Sequence, residues 1–157
     1  LDTSRIATGK LEIQEVDMDY LVHVVADQFA VKLGERNARI VFSMETRKCM
    51  CDRVRVQQVF HNLLDNSIEH CRDTENLLIE IGSKGDTFWV KDNGPGIPDG
   101  FRERVFEAFT QAVESSNNHF GMGMNIVYKI IQKHGGKAWI ESIEGEGTTV
   151  YFTLRHT

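Results

Sequence analysis

Cysteine is scarce in this sequence. Its three residues, Cys49, Cys51 and Cys71, are too few and too irregularly spaced for a disulfide framework, which points to a reducing compartment and to buried thiols. Adding His61 and His70 to Cys49-x-Cys51 gives no zinc-ligand spacing. The two prolines, Pro95 and Pro98, both fall in one turn. Basic residues neither outnumber the acids nor form a stripe, and the formal charge is −5, so there is no electrostatic footing for nucleic acid. Any phosphate must be held locally. There is no signal peptide, no apolar run of membrane-spanning length and no internal repeat, so nothing in these residues enters or crosses a membrane.

What is present is an ordinary core-forming composition, 41% hydrophobic and 26% charged over 157 residues, enough for one sizeable core. Apolar residues at Leu21, Val24, Val25, Phe29 and Leu33 predict one helix over 17–33 that Gly34 stops. Residues 39–44 read as a strand. Asp52 can cap a second helix with Val56, Val59, Phe60, Leu63, Leu64 and Ile68 on its apolar face. Strands are expected at 77–81 and 87–91 around the turn 83–86, and at 137–143 and 148–154 around Glu144-Gly145-Glu146-Gly147. A Gly/Asn/Ser-rich loop over 110–120 precedes a third helix that starts at Gly121-Met122-Gly123 and ends at Gly135-Gly136. The order suits an α+β fold, a two-layer sandwich with helices on one face of a mostly antiparallel, mixed sheet. The chain starts at Leu1 without an initiator Met, as a fragment of a longer protein would.

Three groups of residues carry candidate chemistry, and each has a plain structural alternative. Asn62 and Asn66 are four apart and so lie one above the other on the second helix. An amide oxygen offers Mg²⁺ a hard ligand without adding charge against a triphosphate, although such a pair can equally be two locally bonded amides. Asp92 sits where a strand enters Asn93-Gly94-Pro95-Gly96-Ile97-Pro98. It can start a turn, or it can accept the exocyclic amine of a base that Gly94 and Gly96 let approach the backbone. Gly121-x-Gly123 opens a helix whose first N–H groups are unpaired, which makes it either a phosphate site or a common helix start.

Order and spacing join these groups. Asp52-x-x-Arg55-x-x-Gln58-Val59-x-x-Asn62-Leu63-Leu64-x-Asn66-Ser67 resembles the N box of sensor histidine kinases, and Asp92 through Pro98 their first glycine box. Arg104-Val105-Phe106-Glu107-Ala108-Phe109 is similar to the F box, and Gly121-Met122-Gly123-Met124-Asn125-Ile126 to the second half of the glycine box after the ATP lid. His134-Gly135-Gly136 and Gly145-x-Gly147-Thr148-x-Val150-x-Phe152 complete a resemblance that covers nearly all of residues 11–155. It implies the Bergerat fold and binding of ATP with Mg²⁺. Asn66 would be the metal ligand and Asn62 would support metal and phosphates as the second catalytic amide. Asp92 would bind adenine among Gly94, Gly96, Ile97, Phe106 and Thr148, and the backbone of Gly121, Met122, Gly123 and Met124 would hold the phosphates.

The same resemblance makes residues 11–157 the ATP-binding catalytic domain and residues 1–10 the exit of a dimerisation and phosphoacceptor helix with its linker. None of the six histidines lies in a phosphoacceptor pattern. The implied partners are therefore a phosphoacceptor domain elsewhere in a homodimeric full-length protein and a downstream response regulator, with neither nucleic acid nor membrane contacted by these residues. The implied location is the cytoplasmic side, with the bacterial inner membrane as a seat for the full-length protein. ATP hydrolases of the superfamily place a Glu near position 62 as a general base, and Asn cannot serve so. A neutral imidazole already has its lone pair, so phosphotransfer needs chiefly positioning and charge neutralisation.

Three departures favour an alternative, a docking module of the same fold with little nucleotide turnover. Glu69 stands where the family usually has a base, His119 replaces a lid glycine, and no Lys or Arg occurs between Arg104 and Lys129. A serine kinase of the anti-sigma type is a third reading, disfavoured by the opening residues.

Overall fold

The computed structural model describes residues 9–110 and 121–154, with the backbone alone at Gly121 and Met122. Strand β1 (Gln14–Asp17) leads into helix α1 (Met18–Asp27), whose first turn is capped by the Asp17 carboxylate accepting from Tyr20 N at 3.1 Å. A second helix, α2 (Ala30–Glu35), follows directly. The single helix expected over 17–33 is thus two, and Gly34 lies inside the second rather than stopping it. The chain turns at Asn37, where φ is 53°. Leu21, Val25, Phe29 and Leu33 all face one core through the break, so the apolar period runs on and does not report it.

Five strands form the main sheet in the order β2-β4-β5-β7-β6. Strand β2 (Arg39–Met44) pairs in parallel with β4 (Leu78–Lys84). The other pairs are antiparallel and join β4 to β5 (Thr87–Asp92), β5 to β7 (Gly147–Thr153) and β7 to β6 (Ala138–Ile143). A separate two-stranded sheet pairs β1 with β3 (Lys48–Cys51).

Three further helices, α3 (Arg53–His70), α4 (Arg102–Thr110, entered through a 3₁₀ turn at Asp99–Phe101) and α5 (Gly121–Lys133), complete the helical layer. The inward residues Ile79, Ile81, Phe88, Val90 and Phe152 are fully buried. Phe60 of α3 packs edge-on against Phe88 at 6.3 Å and Phe152 at 5.3 Å. Truncating such a ring to alanine costs about 3–5 kcal/mol. On the other face Trp139 stacks on Tyr151 at 5.2 Å, and Trp89 lies over Gly82, where a Cβ would meet its ring at 2.2 Å. No helix among the described residues is long and apolar enough to cross a membrane.

Asp52, 2% exposed, fastens three parts of the chain at the start of α3. Its carboxylate accepts from Arg55 N at 3.1 Å, from Glu12 N at 2.8 Å and from the Arg55 guanidinium. Burial pushes this carboxyl up, but those donors outweigh it and hold it below the usual carboxylate range. The Asp52 N–H donates to His134 Nε2 at 3.1 Å, so Nδ1 carries the ring proton and donates to Ile130 O at 2.9 Å. This explains the histidine of His134-Gly135-Gly136 as a tie between α3 and the end of α5.

Candidate nucleotide site

The site lies where one face of α3 meets the end of β5. Residues 62, 66 and 70 rise along that face one turn apart, and the core stripe beside them includes Ser67, a polar residue at a buried position. Asp92 closes β5 and is 5% exposed. Its Oδ1 accepts from Gly94 N at 2.9 Å and Thr148 N at 3.3 Å, and its Oδ2 from the Ser67 hydroxyl at 3.3 Å. The bond from Gly94 N, two residues on, starts the turn, and the Ser67 and Thr148 donors make the same buried carboxylate an oriented acceptor.

Asp92 lines a recess with Asn66, Ser67, His70, Ile97 and Thr148, whose volume of about 10 Å³ is that of a single water. Its walls, Ile97, Ile140 and Val150, are apolar and suit the faces of a planar base. Ile97 and Ile140 also wall an adjoining cleft of about 390 Å³ with Phe106 and Arg102. Phe106 is 46% exposed. A base as large as a purine would need both spaces.

The glycines of the turn are required by contact. A Cβ on Gly94 would lie 2.2 Å from Cys71 Sγ, and one on Gly96, where φ is 72°, would lie 2.3 Å from Ile143 O. Burial and the neighbouring Asp92 carboxylate, which the thiol also hydrogen-bonds, push Cys71 up to about 12. Ile97 N donates to the Ser142 hydroxyl at 2.8 Å, and Ser142 in turn donates to Gly147 O at 3.1 Å and lies 3.0 Å from the Thr148 hydroxyl. This relay seals the turn against the β6–β7 hairpin.

Among the described residues helix α5 begins at Gly121, and the backbone N–H groups of Gly121, Met122 and Gly123 lie in its first turn. That end can take phosphate oxygens. The Met124 side chain is buried in the core, which leaves its backbone for that role. The Asn62 amide donates to Gly123 O at 3.0 Å and accepts from Gln58 Nε2. Asn66 is half-buried, and no hydrogen bond among the described residues occupies its amide. Its oxygen is thus the hard donor that fits a divalent cation otherwise held by phosphate and water. No cluster of three or more His, Cys, Asp or Glu that could hold a metal occurs among the described residues.

The structure therefore brings Asn66, Asp92, Ile97 and Thr148 together, sets Asn62 against Gly123, and places Phe106 in the adjoining cleft. Glu69 is exposed and its carboxylate meets the Arg72 guanidinium at 3.1 Å, a pairing that offsets its charge. His119 and residues 111–120 of the expected lid lie outside the described residues, as do residues 1–8 of the expected helix exit. From sequence, Gln58 stands only inside a motif, Cys71 only as a buried thiol, and Ser142 carries no signal. For Cys71 the clue was the pattern of α3, since it continues the buried Leu63–Ser67 row by one turn.

Residues 51–157 match the family described as histidine kinase-, DNA gyrase B- and HSP90-like ATPases. The chain is 36% identical over 162 residues to cyanobacterial phytochrome B of Nostoc sp., covering 99% of this chain and 21% of that protein. It is 35% identical to the methanogenesis regulatory histidine kinase FilI of Methanothrix harundinacea, covering 98% of this chain and 18% of that protein. The chain thus spans about a fifth of the length of these curated relatives. Among solved structures it superposes on the catalytic domain of histidine kinase ThkA with a TM-score of 0.75 at 30% identity, covering 94% of this chain and 97% of that one. ThkA in complex with the response regulator protein TrrA gives a TM-score of 0.71 at 30% identity, covering 94% of this chain and 42% of that one.

Proposed function

Since this chain belongs to the family of histidine kinase-, DNA gyrase B- and HSP90-like ATPases as a histidine kinase catalytic domain, we propose that it binds Mg-ATP and delivers the γ-phosphoryl to a histidine. That histidine would lie on a separate helical domain of the same protein. The observation that carries the reading is the buried Asp92 carboxylate, held by Ser67, Gly94 and Thr148 in a recess shared with Asn66. Asp92 accepts the adenine amine, Ile97 and Phe106 flank the base, and Gly94 and Gly96 let it lie close to the backbone. Asn66 supplies an amide oxygen to Mg²⁺, which neutralises phosphate charge when bound.

Asn62 holds the start of α5 in place through Gly123, so that the N–H groups from Gly121 to Met124 face the phosphates. With an amide at position 62 no side chain there takes a proton from water, which favours transfer to an imidazole over hydrolysis. Residues 1–10 would be the end of the phosphoacceptor helix and its linker. The complex of ThkA with TrrA supports a response regulator as downstream partner, and the full-length protein would act as a homodimer with this domain on the cytoplasmic side, seated at the bacterial inner membrane. That Glu69 is exposed and paired with Arg72 weakens one argument for a nucleotide-poor docking module.

The test supplies labelled ATP, Mg²⁺ and a purified helical phosphoacceptor domain from the full-length protein. The expected product is an acid-labile, base-stable phosphohistidine on that domain, lost with Asn66→Ala. Unlabelled acceptor despite bound nucleotide would turn the reading to the docking module.

A further inference from the structure

The last turn of α3 supplies much of what shapes the base side of the site. Ser67 donates to Asp92, His70 Nε2 lies 3.3 Å from Gly96 O, and the Cys71 thiol fills the space against Gly94 beside Asp92. A helix end leaves its last carbonyls without intrahelical partners, and such an end is where a helix frays. Here Cys71 N and Arg72 N take the carbonyls of Ser67 and Glu69, while those of Ile68 and, just beyond the helix, Cys71 and Thr74 are held by a residue outside the recess. Arg36, in the turn between α2 and β2, donates from Nη1 to Ile68 O at 3.2 Å and from Nη2 to Cys71 O and, at 3.2 Å, to Thr74 O. A cation at the negative end of the helix adds to these bonds.

We infer that Arg36 is a positioning residue for base recognition. By clamping the carbonyls of residues 68, 71 and 74 it fixes the Ser67–Asp92–Gly94 geometry, and with it the preference for a base that presents an amine to Asp92. The inference rests on the adenine-reading role of Asp92 proposed above. The planar guanidinium presents several donors in a rigid fork and can serve carbonyls in different directions, whereas an ammonium is a point charge on a flexible stem. Lysine should therefore replace Arg36 only in part.

The test compares ATP with ITP, in which a carbonyl replaces the amine and would face the Asp92 carboxylate acceptor to acceptor. Affinities for both are measured by titration calorimetry on this chain as wild type, Arg36→Ala and Arg36→Lys, with thermal melts alongside. Wild type should favour ATP. Arg36→Ala should lower the ATP-to-ITP affinity ratio about 5- to 20-fold, in line with the loss of charge-assisted bonds that hold the turn, and Arg36→Lys should fall between. A purely structural role would reduce the folded fraction and weaken both nucleotides equally, leaving the ratio unchanged. A wild-type ratio in folded Arg36→Ala overturns the inference; if that variant does not fold, a wild-type ratio in Arg36→Lys does so. Absence of any ATP preference in the wild type would instead count against the role of Asp92.

Discussion

The Asn62 side chain donates to the Gly123 carbonyl at 3.0 Å while its oxygen accepts from Gln58. One amide therefore joins the middle of α3 to the first turn of α5, and both of its ends are used. Asn62→Asp keeps the shape but sets a carboxylate oxygen against a carbonyl. We expect a loss of about 1–3 kcal/mol in stability and roughly tenfold weaker ATP binding, read from thermal melts and calorimetry. Wild-type affinity in this variant would mean that the contact does not set the phosphate end.

Gly94 and Cys71 are coupled by space. Gly94→Ala places a methyl 2.2 Å from Cys71 Sγ, an overpacking that should cost about 1–3 kcal/mol. Combining it with Cys71→Ala should cost less than the sum of the single changes, since the sulfur is gone. Denaturant titrations of the double-mutant cycle check this, and strict additivity would show that the turn relieves the clash by another route.

Much of the frame was legible in the sequence because it rests on local signals. Asp52 with the Val56–Ile68 stripe marked α3, and β2 falls on residues 39–44 as read, with the other main-sheet strands within about three residues at each end. The missed elements lack such signals. In β1 Val16 is the one buried residue, and its partner β3 is some thirty residues away in sequence, so their pairing has no local period. Helix α4 buries Phe109 alone. The site was legible as motifs, through Asn62, Asn66, Asp92 and the glycines. Its supports were less so: Ser67 stands in a motif without a role of its own, and Cys71, Ser142 and Arg36 act through contacts that only the fold creates.

Asp52 should make stability acid-sensitive. Its native carboxyl lies below the usual range, so near the ordinary value of about 3.9 the unfolded chain binds more protons than the folded one. The stabilisation is present above that pH and is lost as pH falls through the lower native value. Asp52→Asn keeps a capping side chain but loses the ion pair with Arg55 and the charge that strengthens the hydrogen bond from the Glu12 N–H, and should cost about 1–3 kcal/mol at pH 7. The difference between wild type and variant should shrink below about pH 4. A constant difference from pH 7 to 3 in urea titrations would contradict it.

The cysteines should react in sequence. Cys49 is half-exposed, and a hydrogen bond from Cys51 lowers it below the usual thiol range. That bond, with burial, pushes Cys51 up, and burial with Asp92 pushes Cys71 up to about 12. Because thiolate is the nucleophile, a thiol reagent at pH 8 should modify one residue quickly, identified by mass spectrometry as Cys49, with Cys51 and Cys71 following only on unfolding. Fast modification of Cys71 in the folded chain would contradict the packing around Asp92.

The most direct measurement is titration calorimetry of this chain with a non-hydrolysable ATP analogue, with and without Mg²⁺, for wild type and Asp92→Asn. The asparagine keeps the size of the side chain but gives up the charge and one acceptor that the Ser67, Gly94 and Thr148 donors hold. The account predicts saturable binding to the wild type that Mg²⁺ strengthens, and a loss of at least about tenfold in Asp92→Asn, or roughly 1.4 kcal/mol. No binding at millimolar nucleotide, or equal affinity in the two proteins, would contradict it.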